Sequence, residues 1–194
     1  MRKAVALVLA GTAASCMLAA PAVAAPASND PMCNPGMTKL TWFSAQKPWV
    51  VTHRKVLENY TGGTASKTYS AEKVSEITAS VSTTAGAKVS GSVVIGSLEG
   101  SLGLELKAEK KSTNKKSESV TYKLSKNGTY VLYSGTRRAS GYYTQWRCDR
   151  GTKWIATGRE GKAVSWTVPT EGGVRCGTTV PKGSLAAVVK KKYC

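Results

Sequence analysis

The chain has 194 residues, with 28 Lys and Arg against 11 Asp and Glu, one histidine and a formal net charge of +17. Its 35 Leu, Ile, Val and Phe residues make up about 18% of the chain, below the roughly 20% that accompanies disorder when net charge is high. The missing apolar bulk is replaced by β-formers, 41 Ser and Thr interleaved with Val, Ala, Tyr and Trp, so a large helical core and a two-domain enzyme are excluded, but a β fold is not.

Arg2 and Lys3 precede an uncharged apolar run over residues 4–14, and Ala22-Val23-Ala24 offers a small-residue cleavage site. Residues 1–24 therefore read as a secretory signal peptide, shorter in its apolar part than the ~20 residues of a spanning helix. Lipid attachment at Cys16 is the alternative, opposed by Ala13 where such a site wants Leu. The expected location is extracellular. Residues 25–37, rich in Pro, Asn and Asp, read as a flexible segment, and residues 38–194 as a single β domain. Signal removal leaves Cys33, Cys148, Cys176 and Cys194, an even set expected as two disulfides. Of the three connectivities, Cys176–Cys194 with Cys33–Cys148 is favoured.

Strand-like runs begin at residues 38–43 and 49–57 and break at residues 59–63. Residues 66–90 form a Ser/Thr-rich stretch with period-two apolar positions at Ile77, Ala79, Val81, Ala85, Ala87 and Val89. A second polar stretch, 104–124, ends at the turn signal Lys126-Asn127-Gly128. Short runs at 130–133, 142–147, 154–157, 164–168 and 185–189 complete the pattern. The expected fold class is all-β: an elongated antiparallel sheet with a long central hairpin and a C-terminal meander of short strands, stapled by disulfides.

The segment 85–108 carries the sharpest pattern. Gly96-Ser97 is a Gly-X pair of the kind that makes two-residue type II′ hairpin loops. Folded about it, Ile95 faces Leu98, Val93 faces Gly100, Gly91 faces Leu102, Val89 faces Leu104, Ala87 faces Leu106 and Ala85 faces Ala108. All are apolar or glycine and share one side, while Lys88 meets Glu105 on the other. The uniform face runs for about 11 residues per strand, close to the ~9–11 of a tilted membrane-crossing strand. Ala87, Val89, Val93, Ile95, Leu98, Leu102, Leu104 and Leu106 are the expected membrane-facing residues. Two other readings stay open: a half-buried hairpin covering an ordinary core, and a helix over 98–111 with Leu98, Leu102 and Leu106 at i, i+4 and i+8, opposed by Gly100 and Gly103.

Long Ser/Thr-rich strands flanking an amphipathic hairpin, then the strand–turn–strand return of residues 119–124, Lys126-Asn127-Gly128 and 129–133, resemble the pore-forming module of aerolysin-like toxins over residues 66–133. The texture also resembles small secreted proteins of Gram-positive soil bacteria. The resemblance implies an elongated β-sheet and hairpin insertion into a membrane after homo-oligomerisation.

Lys107, Lys110, Lys111, Lys115 and Lys116 crowd the segment after the hairpin, while Arg137, Arg138, Arg147, Arg150, Lys153, Arg159 and Lys162 share the last third with Tyr142, Tyr143, Trp146 and Trp154. The five lysines with Arg137 and Arg138 are the expected anion-binding residues, and the expected partner is anionic lipid or a cell-wall polyanion such as teichoic acid. Near an anionic membrane each surface cation contributes about 1 kcal/mol. Export and the lack of a recognisable binding module stand against nucleic acid. Catalysis, cofactor and metal are not expected: His53 is the sole histidine, no G-x-S-x-G occurs, and Glu99, Glu105 and Glu109 are accounted for by the polar side of the hairpin. The expected function is a secreted cationic β protein that binds anionic membranes or envelopes and forms pores through its central hairpin. The alternative is a secreted, non-enzymatic binding or inhibitor module with a protein partner.

Overall fold

The structure, a computed structural model, describes residues 33–60, 62–84, 89–108, 110–151 and 153–194. The expected signal peptide with Cys16, most of the segment 25–37, and Ala85, Gly86, Ala87 and Lys88 of the expected hairpin lie outside the described residues.

The organising element is a strand of 21 residues, β6 (Gly128–Cys148), about 70 Å long at ~3.3 Å per residue. On one edge it pairs with β1 (Thr38–Gln46) along its second half and with β2 (Trp49–Asn59) along its first half, the two separated only by Lys47 and Pro48. On the other edge β7 (Trp154–Trp166) and β8 (Thr170–Arg175) do the same, with Pro169 in the break. Proline donates no backbone N–H, so each ladder is interrupted at the level of Arg137, and the sheet is divided into two halves that share β6. Around the first half of β6, β3 (Ala65–Lys73) joins β2 and β5 (Ser117–Leu124) joins β3; around the second, β4 (Ser80–Thr84) extends β7. The fold is a curled antiparallel sheet closed by the disulfides Cys33–Cys148 and Cys176–Cys194, the pairing favoured by the sequence.

Each half-sheet carries its own core. Val51, Val131, Tyr133 and Val174 of the first half are covered by Leu185 and Val189 of a C-terminal helix, α2 (Leu185–Tyr193). Ala139, Tyr143 and Ala163 of the second half are covered by Val94, Ile95 and Leu98 of α1 (Gly91–Leu102). The opposite face of the first half holds Leu132 against Ala71 and Val120 of the β3–β5 pair.

Three expectations change. The short C-terminal strands merge: 130–133 and 142–147 both belong to β6. Gly135 between them is no break, because a Cβ there would lie 2.6 Å from the Val50 carbonyl oxygen and only glycine lets the two backbones approach. Residues 185–189 are helical rather than extended. Leu185 and Val189 fall at i and i+4 on the buried stripe, the Ser184 hydroxyl caps the Ala187 N–H at 3.1 Å, and Lys190, Lys191 and Lys192 complement the C-terminal dipole.

The third correction concerns the hairpin. Gly96-Ser97 is not a turn; the strand pairs of Val89, Val93 and Ile95 with Leu104, Gly100 and Leu98 do not form, and Gly91–Leu102 is a helix instead. Helical propensity does not explain it, since the segment holds three glycines, two valines and an isoleucine, and Ser90 makes no side-chain cap. Burial explains it. Val94, Ile95, Leu98 and Leu102 form a stripe one helix wide that fits the inner face of the second half-sheet, while a helix satisfies its own backbone groups and leaves no strand edge to cover. Gly103, at φ 61° in the left-handed region, ends the helix, and the N–H groups of Gly103 and Leu104 both reach the Glu99 carbonyl.

Candidate functional site

Ahead of β5 the chain makes an excursion over residues 80–110, which includes β4 and α1 and whose two roots meet. Thr78 and Ser112 form an antiparallel bridge. The Ala79 N–H donates to the Lys111 carbonyl at 2.8 Å, the Lys110 N–H to Ala79 at 3.0 Å and the Thr113 N–H to Ile77 at 3.0 Å. The roots thus form a short polar neck. Glu76 clasps it, accepting the Ser112 hydroxyl at 2.7 Å and pairing with Lys73 at 3.3 Å. The Ser112 hydrogen bond, opposed by desolvation and aided by Lys73 and Thr78, holds the Glu76 carboxyl below the ordinary carboxylate range. A group whose folded pKa is depressed stabilises the fold above its unfolded pKa, and that contribution disappears as pH falls through the folded value. Wild type is therefore expected to melt slightly above E76Q at pH 7, with the gap closing at acid pH below the usual carboxylate range. A gap that persists there would show that the charge of Glu76 does not hold the neck.

Within the excursion α1 is fastened by few polar bonds. The Trp42 indole N–H donates to Ser97 Oγ at 3.0 Å, Lys47 Nζ to the Leu102 carbonyl at 2.7 Å, and the Leu106 N–H to the Glu99 carboxylate at 2.9 Å. The structure distributes the expected membrane-facing residues unevenly. Ile95 and Leu98 are buried, Val89, Leu102, Leu104 and Leu106 pack partly against the same cluster, and Val93 is 59% exposed.

Among the described residues, the other face of this half-sheet carries no helix. Register places Phe43, Tyr142 and Lys162 in one row across β1, β6 and β7, with Thr41, Thr144 and Glu160 in the next and Lys39 beside Trp146 beyond. Phe43 and Tyr142 are 53% and 54% exposed. Lys162 Nζ lies 5.4 Å from the Tyr142 ring centroid, Lys39 Nζ lies 4.3 Å from that of Trp154, and the Trp146 indole donates to Thr41 Oγ1 at 2.8 Å. Aromatic rings thus alternate with ammonium groups on an exposed pleated surface that includes one carboxylate, Glu160.

The expected anion-binding residues do not gather into one site. Lys110, Lys111, Lys115 and Lys116 lie exposed along the return from the neck, and Lys115 turns to Glu118 at 3.1 Å. Lys107 is tied by its backbone to Trp166, the register partner of Arg138. Arg137 stacks on Trp49 at 4.3 Å and donates to the Lys47 carbonyl at 3.1 Å, so it serves the break between the half-sheets. Tyr142, Trp146, Trp154 and Lys162 were visible in the sequence as aromatics among cations, whereas Phe43 and Lys39 were missed because they stand about 100 positions from Tyr142 and Trp146 and only the β1–β6 register joins them. His53 is buried, its Nε2 2.8 Å from the Lys115 carbonyl and its Nδ1 3.0 Å from Thr52 Oγ1.

No protein-family model and no curated protein matches the chain. Among solved structures, the chain is similar to the parasporin-2 toxin of Bacillus thuringiensis, a toxin that recognises cancer cells, at 12% identity and a TM-score of 0.31 over 72% of this chain and 71% of that one.

Proposed function

We propose that this is a secreted, non-enzymatic cationic β protein that binds anionic membranes through the uncovered face of its second half-sheet. The observation that carries the reading is the exposed row of Phe43, Tyr142 and Lys162 with Lys39, Trp146 and Trp154 beside it. Aromatic rings favour the boundary between headgroups and acyl chains, and lysine stems lie along them while their ammonium groups meet lipid phosphates. The net charge of +17 adds long-range attraction. Two disulfides suit an extracellular location.

Pore formation by a membrane-bound homo-oligomer is the finer part of the reading. Its support is the excursion 80–110: the neck joins its two roots, its strand β4 is an edge strand paired to β7 and not to β6, and helix α1 within it, poor in intrinsic propensity, is held by packing that lipid could replace. The segment can therefore leave the half-sheet without unzipping the central strand.

Co-sedimentation with phosphatidylglycerol and phosphatidylcholine vesicles at low salt tests the reading. Binding is expected only to the anionic vesicles and is expected to be lost near 1 M salt, where the Debye length is about 3 Å. Replacing Phe43 and Tyr142 together by serine should weaken it about tenfold or more without unfolding the protein, since both side chains are already in water. Folded, disulfide-intact protein that ignores anionic vesicles would end the membrane reading.

A further inference from the structure

On the inner face of the second half-sheet, α1 covers the rows as far as Leu40 and Tyr143 and leaves the next ones open. There β7 carries a bulge of three residues against one. Thr144 pairs with Glu160 and Trp146 with Ala156, so residues 157–159 stand opposite Gln145 alone. Gly158 makes this possible with φ +73°, a conformation a side chain would strain. The Thr157 hydroxyl locks the loop, donating to the Gln145 carbonyl at 3.0 Å and accepting the Arg159 N–H at 3.3 Å. Bulges re-aim side chains, and this one brings Arg159 Nη1 to the Gln145 side-chain oxygen at 3.3 Å.

The result is a cleft of about 350 Å³ walled by Arg147, Arg159, Gln145, Thr38 and Thr157, with no carboxylate among its described lining. That size is within the range of small-ligand sites. Arg147 also walls a neighbouring cleft of about 620 Å³ with Arg150. The acid there, Asp149, is engaged by the Gly151 and Lys153 N–H groups, each at 2.8 Å. The Arg147 side chain makes no hydrogen bond or ion pair among the described residues, and its planar fork of donors is free to take an oxyanion two-pronged.

We propose that the two clefts sharing Arg147 are consecutive subsites for a phosphodiester chain, one phosphate between Arg147 and Arg159 and the next between Arg147 and Arg150, with Thr38, Thr157 and Gln145 meeting the hydroxyl groups of the linking polyol. The proposal stands on the same cationic reading of the protein, but on the opposite side of the sheet from Phe43 and Tyr142.

The test is calorimetric titration of the secreted protein at low salt with inorganic phosphate, glycerol 3-phosphate and a short poly(glycerol phosphate), beside vesicle binding. The polymer is expected to bind at least about tenfold more tightly than either small phosphate. R147Q and R159Q should each weaken it about tenfold, and the R147K/R159K double variant, which keeps the charge but loses the fork, should do the same. Polymer affinity unchanged in the R147Q/R159Q double variant would overturn the cleft. Equal affinity of wild type for polymer and glycerol 3-phosphate would overturn the second subsite. Vesicle binding should be unaffected by the double variant, and its parallel loss would assign the arginines to lipid headgroups instead. Wild type that binds polymer but not vesicles would refute the membrane reading and leave this one standing.

Discussion

Leu98→Ala is expected to destabilise the protein by about 3 kcal/mol, while Val93→Lys changes stability by no more than about 0.5 kcal/mol. Leu98 is 0% exposed and packs among Ala139, Tyr143 and Ala163, so truncation loses its transfer free energy and leaves a cavity that a β-sheet backbone cannot close. Val93 lies five residues earlier and 59% exposed, on the solvent side of α1. In a hairpin turning at Gly96-Ser97 the two would share one face and suffer together, so the pair separates helix from hairpin by thermal or urea unfolding alone. Dye release from anionic vesicles then reports on the membrane-bound form. If the excursion inserts as strands, Val93→Lys places a charge on the lipid-facing side at a cost of roughly 2–4 kcal/mol and abolishes leakage from a protein that is fully folded in solution. A Val93→Lys variant that unfolds, or a Leu98→Ala variant as stable as wild type, would contradict the seat described for α1.

Removing the Cys33–Cys148 bridge should be the most costly single change in the molecule, at about 4–5 kcal/mol, against about 3 kcal/mol for Cys176–Cys194. The difference follows from loop length, since the bridges span sequence separations of 115 and 18. Both cysteines of the longer bridge are buried. They fasten the approach to β1 onto the end of β6, where the Cys148 N–H also donates to the Met37 carbonyl at 2.8 Å and its carbonyl accepts the Gly36 N–H at 3.2 Å. The shorter bridge holds the end of α2 beside β8, so its loss frees Leu185 and Val189 to fray from the first half-sheet. So few large apolar side chains remain to compensate that reduction should lower the melting temperature steeply, and C33S/C148S should fall further than C176S/C194S. Unreduced mass spectrometry should show four hydrogens missing from the chain, two for each bridge. Free thiol at Cys33 or Cys194, or equal melting temperatures of the two double variants, would contradict this order.

Much of the architecture was legible from residue types alone. Interleaved Ser, Thr, Val and aromatic residues foretold an antiparallel β protein with long strands, because that texture suits a pleated, half-buried surface and little else. Cys33, Cys148, Cys176 and Cys194 foretold two bridges, and the pairing favoured from the sequence is the one formed.

Tertiary structure alone decided the rest. The apolar positions of residues 89–106 satisfy a period of two and, through Leu98, Leu102 and Leu106, a period near four; local pattern cannot choose between them. The choice fell to the inner face of the second half-sheet, where Trp42, Ala139, Tyr143 and Ala163 leave room for one helix. Residues 185–189, rich in valine, became helical because the first half-sheet offered Leu185 and Val189 a single buried stripe. The surface chemistry lay equally beyond local reading. Phe43 meets Tyr142 and Lys162, and Thr38 meets Arg147, only through antiparallel register. Composition determined that the chain would be β-rich, basic and bridged, because those are sums over residues. Which faces are covered, and which cations stand together, are relations between distant strands, as is the bulge at Gly158, which only the folded sheet explains.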